Sequence, residues 1–415
     1  MLHFVFSPLG SAGDVHPMLG IAIELHRRGH KVTILANSHF RELIERYGLK
    51  FVELGSKEEF FAVLNHPDLW NPLRAFKYVF RTAVQPYLRR QYEVLAEHWQ
   101  TDRAVAVANC LGFGARMAQE KLGLPLVTVH MQPAVLWSRF EPPTFYGVFG
   151  PRWFQHIQYR LAERLVIDCT ICPEVNPLRA ELGLPPMRQT TRWWHSPQFV
   201  LCLFPPWFAP PQPDWPNHLV QTDFPLWDEG NDAKLPAEVE DFLNAGEPPI
   251  VFTPGSANVF GAQFFQAAVA ACQQLGRRGM LLTRFGEQIP QRLPNQVKHF
   301  AYVSFSRLLP RCAALVHHGG IGTTAQGLAA GIAQLVMPLA HDQFDNAARV
   351  KRLGVGDSLA PSRFCGPKVA AKLAALLRSD AVGRSCRAVS ENLSGSSGVT
   401  MSADAIEKFG ERSRS

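Results

Sequence analysis

Residues 317–346 read HHGGIGTTAQGLAAGIAQLVMPLAHDQFDN, and this stretch decides the fold because it sets two strand-to-helix transitions in succession. Residues 313–316 suit a short buried strand, 317–320 supply a turn, and 321–330 have the periodicity of a helix. The first N–H groups of such a helix have no partner within it and concentrate partial positive charge, so the turn predicts an anion cradle. Gly319, Gly320 and Gly322 let the backbone approach a diphosphate without a Cβ in the way, and His318 adds a side-chain donor beside them. His317 reads as a buried strand-end residue. The next strand, 334–337, delivers Asp342 and Gln343 to the same rim, where a carboxylate and an amide can bond sugar hydroxyls. A cradle for anions beside a reader of polyols predicts a nucleotide sugar as ligand.

Working outward, the same alternation fills both halves of the chain. Strands are predicted at 3–6, 31–36, 51–54, 104–108 and 126–129, and again at 250–253, 280–283 and 297–301, with helices between them. This predicts an α/β protein of two Rossmann-like, doubly wound domains, each a parallel sheet covered on both faces. The expected division is 1–225, a linker at 226–249 near a cluster of proline, glycine and acids, a second domain at 250–390, and a tail at 391–415. Within the tail, 402–409 has the pattern of an amphipathic helix that packs back on the first domain. Residues 57–100 and 137–194 break the alternation and are rich in aromatics. Most of those rings must fill core, yet insertions this long exceed what a doubly wound domain needs and mark the acceptor pocket.

Composition narrows the class. A chain of 415 residues with 47% hydrophobic content can build two cores. No window reaches 18 uninterrupted apolar residues, and MLHFVFSPLGSAGDVHP at the start lacks the basic region of a secretion signal. The expected location is the cytoplasm. The formal charge of +7 is spread over pairs such as Arg27-Arg28, Arg89-Arg90 and Arg277-Arg278. Scattered pairs indicate solvated helix faces and not a nucleic-acid surface, while leaving peripheral attachment to the inner leaflet as a route to a lipid-like acceptor. Eight cysteines in so long a chain read as reduced thiols. Cys169 and Cys172 have no second pair at zinc spacing and fall on a helix expected to end at Pro173, so neither metal nor redox chemistry is expected there.

The order His318-Gly319-Gly320-Ile321-Gly322-Thr323, then a proline, then Asp342-Gln343 with Asn346-Ala347 resembles the donor signature of family-1 glycosyltransferases, the UDP-glycosyltransferase superfamily. The resemblance covers nearly the whole chain. It implies the GT-B fold, with two Rossmann-like domains facing a central cleft, and hexosyl transfer as the activity. It puts His318 on the diphosphate, Thr323 at the small hydroxyl position of the helix start, and Asp342 and Gln343 on the sugar. Gly13, Ser256, Gly320 and Gly322 join the donor set, and Tyr302 falls where an aromatic ring stacks on the base. Gln326 stands where many members have a glutamate for the ribose hydroxyls, which leaves ribose and 2′-deoxyribose both open. GSAGDVHP at 10–17, SPQFVLCLFPPWFAPPQPDWP at 196–216 and AHDQFDNAARVKRLGVG at 340–356 are most similar to bacterial sterol-glucosyltransferase-like enzymes and to the rhamnosyltransferases of rhamnolipid synthesis. That implies dTDP-rhamnose or UDP-glucose as donor, and a hydroxy-fatty-acid, sterol-like or phenolic acceptor.

Glycosyl transfer to a hydroxyl needs a base at the acceptor oxygen and stabilisation of the departing diphosphate. The resemblance puts the base at Asp14, within a loop expected to enter the cleft. His16 is the rival, since an imidazole suits neutral pH better than a carboxylate. Pro17 as first helical residue would make His16 the N-cap and leave Asp14 free to face the cleft. The plainer alternative is that Asp14 bonds its own turn. Asn109, which ends the strand 104–108, falls where histidine-type members keep an acidic partner. An amide there cannot stabilise an imidazolium, which favours Asp14. No Asp-x-Asp is present, so a metal-free diphosphate site and inversion by direct displacement are expected. A nonenzymatic nucleotide-sugar or lipid binder and a GT-B epimerase are the competing readings. The epimerase would require a further acidic set that the sequence does not display.

Overall fold

The computed structural model describes residues 1–229, 234–395 and 397–413. The chain divides into two compact units, Met1–Pro225 with Ser397–Ser415, and Leu226–Ser396. In the first, seven strands are all parallel: β1 (His3–Ser7), β2 (Lys31–Ala36), β3 (Lys50–Glu53), β4 (Val105–Asn109), β5 (Leu126–His130), β6 (Phe199–Cys202) and β7 (Leu219–Gln221), in the order β3-β2-β1-β4-β5-β6-β7. β1, β4 and β5 are buried at every position, as strands covered on both faces must be. Phe4 pairs with Val32 on one side and Val105 on the other.

The second unit has six parallel strands in the order β10-β9-β8-β11-β12-β13. They are β8 (Ile250–Thr253), β9 (Gly279–Leu282), β10 (Val297–Phe300), β11 (Ala314–His317), β12 (Ala333–Val336) and β13 (Gly356–Ser358). In each sheet the strand order reverses once, between β1 and β4 and between β8 and β11. Helices leave on opposite faces at such a point, and the carboxyl ends of its two strands border a crevice where ligands bind. The turns after β1, β8 and β11 are therefore the ones that matter.

Three local expectations are corrected. The segment 226–249 is not a linker: its helix Ala237–Asn244 buries Val239 and Leu243 in the core of the second unit. The helix Cys169–Glu181 starts at Cys169 and continues through Pro173 and Pro177. Burial of Ile171, Val175 and Leu178 on its inner face outweighs the backbone bonds that the prolines forgo. The first helix is Ala12–Arg27, so Pro17 lies inside it and Ser11, not His16, is the N-cap.

The two aromatic insertions share one core, in which Phe80, Val84 and Leu88 meet Ile167, Ile171, Val175 and Trp194. Each contains a π-helical turn, Phe80–Val84 in one and Glu163–Asp168 in the other. Phe149 and Trp153 are left about two-thirds exposed, at 67% and 68%. The tail helix Gly398–Arg412 packs on Ala12–Arg27. The Arg28 guanidinium reaches Asp404 at 2.6 Å and Glu407 at 2.8 Å, and His30 reaches Glu407 at 2.7 Å. All eight cysteines are free thiols. Among the described residues, no helix is long and apolar enough to cross a membrane.

Candidate active site

At the reversal point of the first sheet, the chain leaves β1 through Gly10, whose φ of +136° admits only glycine without strain. A Cβ there would come within 2.1 Å of Asp14 Oδ2. That space is used: Asp14 sits in the first turn of Ala12–Arg27, and its Oδ2 accepts the Ser11 N–H at 2.9 Å. The carboxylate expected to stand free in a loop is thus a partner in a helix cap. Gly13 is exposed beside it, and His16 lies half-buried in the following turn. Asn109, at the end of β4, donates from Nδ2 to Leu9 O at 2.6 Å, while its buried Oδ1 has no hydrogen-bond partner. Gln91 spans the same place, donating to Ser7 Oγ at 2.7 Å and accepting from Ala115 N. Asn109 and Gln91 therefore fix the exit of β1, from which Asp14 hangs.

At the reversal point of the second sheet, β8 is followed by Gly255 (φ +96°) and the exposed Ser256, and β11, whose last residue is His317, is followed by His318 and Gly319 (φ +95°). The His318 ring lies between two glycines. A Cβ on Gly255 would come within 2.6 Å of its Cε1, and one on Gly320 within 2.6 Å of its Nε2. Burial, and then the neighbouring His341, hold the His318 imidazole down at about 4, so it is neutral at pH 7. His317 serves the turn: its Nδ1 accepts the Gly319 N–H at 3.1 Å, leaving Nε2–H to donate to Gln334 Oε1 at 2.9 Å. Gly320 caps the helix Ile321–Ala329, which presents exposed Gly322 and half-buried Thr323 in its first turn.

The segment after β12 closes on this helix start. The Asp342 carboxylate accepts the Ile321 N–H and the Asn346 amide, the latter at 2.7 Å, and burial pushes it up to about 6. Asn346, to which the sequence assigns no role, also donates to Gly319 O at 2.8 Å and keeps a buried Oδ1 without a hydrogen-bond partner. Its position inside the run that follows Asp342-Gln343 was the available signal. Gln343 is turned inward, its Oε1 accepting from Leu339 N at 2.7 Å and Ala340 N at 3.1 Å. The carbonyl half of the expected pair is therefore committed to the loop. His341, in left-handed backbone (φ +58°), is a further residue that the sequence did not single out. The glycine turn with His318 and the Asp342 carboxylate thus meet at one helix N-terminus.

Residues 4–136 match the glycosyltransferase family 28 N-terminal domain, and residues 283–403 match the erythromycin biosynthesis protein CIII-like C-terminal domain. The chain is 28% identical to O-mycaminosyltylonolide 6-deoxyallosyltransferase of Streptomyces fradiae, covering 97% of this chain and 96% of the relative. The chain is a GT-B glycosyltransferase. A sterol 3-beta-glucosyltransferase of Arabidopsis thaliana is 29% identical over 87% of this glycosyltransferase and 58% of its own length. In fold, the glycosyltransferase is similar to the solved glycotransferase of kitacinnamycin, with a TM-score of 0.73, 21% identity and 98% of each chain covered.

Other expected donor residues of this glycosyltransferase lie on separate elements. Tyr302 follows the edge strand β10, with β9 and β8 between it and β11. Its ring is 42% exposed, with the Arg284 guanidinium 5.1 Å from its centroid and Arg284 paired to Glu229 at 3.6 Å. Gln326 is buried in the second turn of Ile321–Ala329. Asp342→Ala is expected to impair binding of an intact nucleotide sugar while sparing or strengthening that of the bare nucleoside diphosphate. The substitution removes a hydroxyl acceptor but also removes a negative charge from the helix N-terminus. Parallel calorimetric titrations of the two ligands check this, and equal losses would assign the carboxylate to the fold alone.

Each unit also holds a buried histidine pair. His195 Nε2 accepts from Trp194 Nε1 at 3.2 Å, so its Nδ1–H donates to His130 Nε2 at 2.8 Å. Burial holds His195 down to about 3, His130 well below its ordinary value, and His317 to about 3. Unfolded histidines take up protons near 6.5 and these folded ones do not, so stability present above that pH is lost as pH falls from 6.5 toward 4. Each contributes a slope of at most about 1.4 kcal/mol per pH unit. Asp342, raised, runs the other way but is a single group. Chemical unfolding at pH 7.5, 6 and 5 should show a falling midpoint, and a flat profile would contradict the buried neutral pairs.

Proposed function

We propose that this enzyme moves a hexose from a nucleoside diphosphate sugar to a hydroxyl of a hydrophobic small molecule, without a metal ion and with inversion at the anomeric carbon. The observation that carries the reading is His318, seated between Gly255 and Gly320 at the N-terminus of Ile321–Ala329, with Asp342 at the same helix start. Backbone N–H groups, the helix dipole and a neutral imidazole donor together suit a diphosphate leaving group. Two solved structures of the same fold, a spinosyn rhamnosyltransferase and a second glycosyltransferase, are complexes with thymidine diphosphate. That supports dTDP-rhamnose as the first donor to test, with UDP-glucose as the alternative that Gln326 leaves open.

In the reaction, the acceptor oxygen forms a bond to the anomeric carbon as the bond from that carbon to the diphosphate oxygen breaks. The acceptor proton passes to Asp14. With Oδ2 engaged by the Ser11 N–H, the proton goes to Oδ1, or the cap opens to receive it. Asn109 positions this turn through Leu9 O. The macrolide and sterol enzymes among the relatives, and the exposed aromatics of 137–194, favour a hydrophobic acceptor. The Asp342 carboxylate takes the sugar hydroxyls, with Gln343 restricted to its amide nitrogen.

The test is a mass-spectrometric screen of dTDP-rhamnose and UDP-glucose against hydroxy-fatty acids, sterols, macrolides and phenols. A glycoside whose formation releases one nucleoside diphosphate supports the reading. Nucleoside diphosphate release that ignores the acceptor would refute it. Transfer should also persist in excess EDTA, because the diphosphate is held by the helix start with Thr323, by His318 and by Ser256. A divalent ion required for binding of the nucleoside diphosphate itself would displace this account of the leaving group.

A further inference from the structure

At the opposite end of the first sheet from Asp14, we infer a binding site for a zinc-like divalent transition metal, built from His3 Nδ1, a ring nitrogen of His98 and a carboxylate oxygen of Asp102. One ligand atom from each lies within 4.8 Å of the other two. His3 opens β1, while His98 and Asp102 stand one turn apart on the helix Leu88–Asp102, so the helix projects both toward the strand. His3 is 3% exposed and His98 8%. Asp102 is partly open to solvent, which gives an ion a way in.

The geometry around His3 favours coordination over a simple hydrogen bond. Its Nε2 is engaged with Thr33 Oγ1 at 3.0 Å, the kind of outer contact that fixes ring orientation in metal sites. Its Nδ1 lies 3.1 Å from Asp102 Oδ2, yet off the line of a hydrogen bond, and it is buried with no hydrogen-bond partner. Zinc bonds of about 2.0–2.2 Å place tetrahedral ligand atoms roughly 3.3–3.6 Å apart, each pointing at the ion and not at its neighbour. The off-axis His3–Asp102 contact, at 3.1 Å, is slightly shorter than that, so the two side chains part by a few tenths of an ångström to seat the ion.

The competitor is Lys31, whose Nζ is 2.7 Å from Asp102 Oδ2. Its side chain is 45% exposed and can swing into solvent when a divalent ion takes the carboxylate. Lys50 and Glu97 also face His98, with opposite effects on it. The bound ion would join the end of Leu88–Asp102 to the start of β1, and so brace the helix whose Gln91 holds the exit of the same strand.

The 415-residue protein, stripped with EDTA, is titrated with zinc chloride while heat and the unfolding midpoint are recorded. Cobalt chloride is used in parallel for its visible absorption. One equivalent should bind, raise the midpoint and give the intense absorption of four-coordinate cobalt. His98→Ala and Asp102→Asn, checked for native circular dichroism, should each weaken binding at least tenfold. Lys31→Ala should strengthen it roughly tenfold, because a competing cation has been removed. Absence of uptake by the wild-type protein, or binding unchanged in both His98→Ala and Asp102→Asn, overturns the site. Lys31→Ala keeps all three ligands, so a folding defect in the other two variants cannot imitate its gain.

Discussion

Asp14→Asn is expected to slow glycosyl transfer roughly 10²–10⁴-fold with donor affinity little changed. The substitution is suited to the question because the amide oxygen of asparagine can still accept the Ser11 N–H, keeping the cap of Ala12–Arg27 while removing the basic carboxylate. Alanine would confound the two, since cap loss alone costs about 1 kcal/mol. Acidic phenols should lose less than aliphatic alcohols, as they need less help with deprotonation. His16→Ala should do less than Asp14→Asn. Initial rates for both variants on both acceptor classes decide the matter: a near-normal Asp14→Asn beside an inactive His16→Ala would make the histidine the base.

His318→Ala should lower turnover about 10²–10³-fold, the loss that follows removal of one preorganised donor to a developing oxyanion, and should weaken donor binding as well. Gly320→Ala offers an independent probe, since its Cβ would come within 2.6 Å of His318 Nε2 and must displace a ring that remains chemically present. The pH dependence of donor binding gives a second readout. The free imidazole is neutral, held at about 4 by burial, and a bound diphosphate raises it. Binding of the intact nucleotide sugar should therefore tighten as pH falls toward the raised value of the bound imidazole, and His318→Ala should lose that component. Wild-type affinity and rate in His318→Ala would remove this histidine from the site.

Much of the architecture was legible because it is encoded locally. β2 and β8 were readable to the residue, since Lys31–Ala36 and Ile250–Thr253 are apolar runs bounded by turn signals. The glycine turn at 318–320 and the helix after it were equally plain, because a strand, a turn and a helix start are each written in consecutive residues. The two shortest strands, β7 and β13, escaped: three residues carry no periodicity, and each is defined by a neighbour it pairs with.

The sequence by itself determined two doubly wound α/β units, the glycine turn and helix start that follow β11, and the glycosyltransferase class of the chain. The tertiary structure decided which side-chain atoms are committed elsewhere. Pro17 read locally as a helix start, but Gly10 and the Asp14–Ser11 bond start the helix at Ala12, with the preceding loop tied down by Asn109 from a strand far along the chain. Gln343 read as a sugar ligand, but backbone N–H groups of its own loop claim its carbonyl. His3 and His98 carried no motif at all, and only the packing of Leu88–Asp102 beside β1 brings them together with Asp102. Periodicity and turn chemistry act between residues close in sequence. Hydrogen-bond and ligand partners are chosen by proximity in space, which exists only once the sheet has formed.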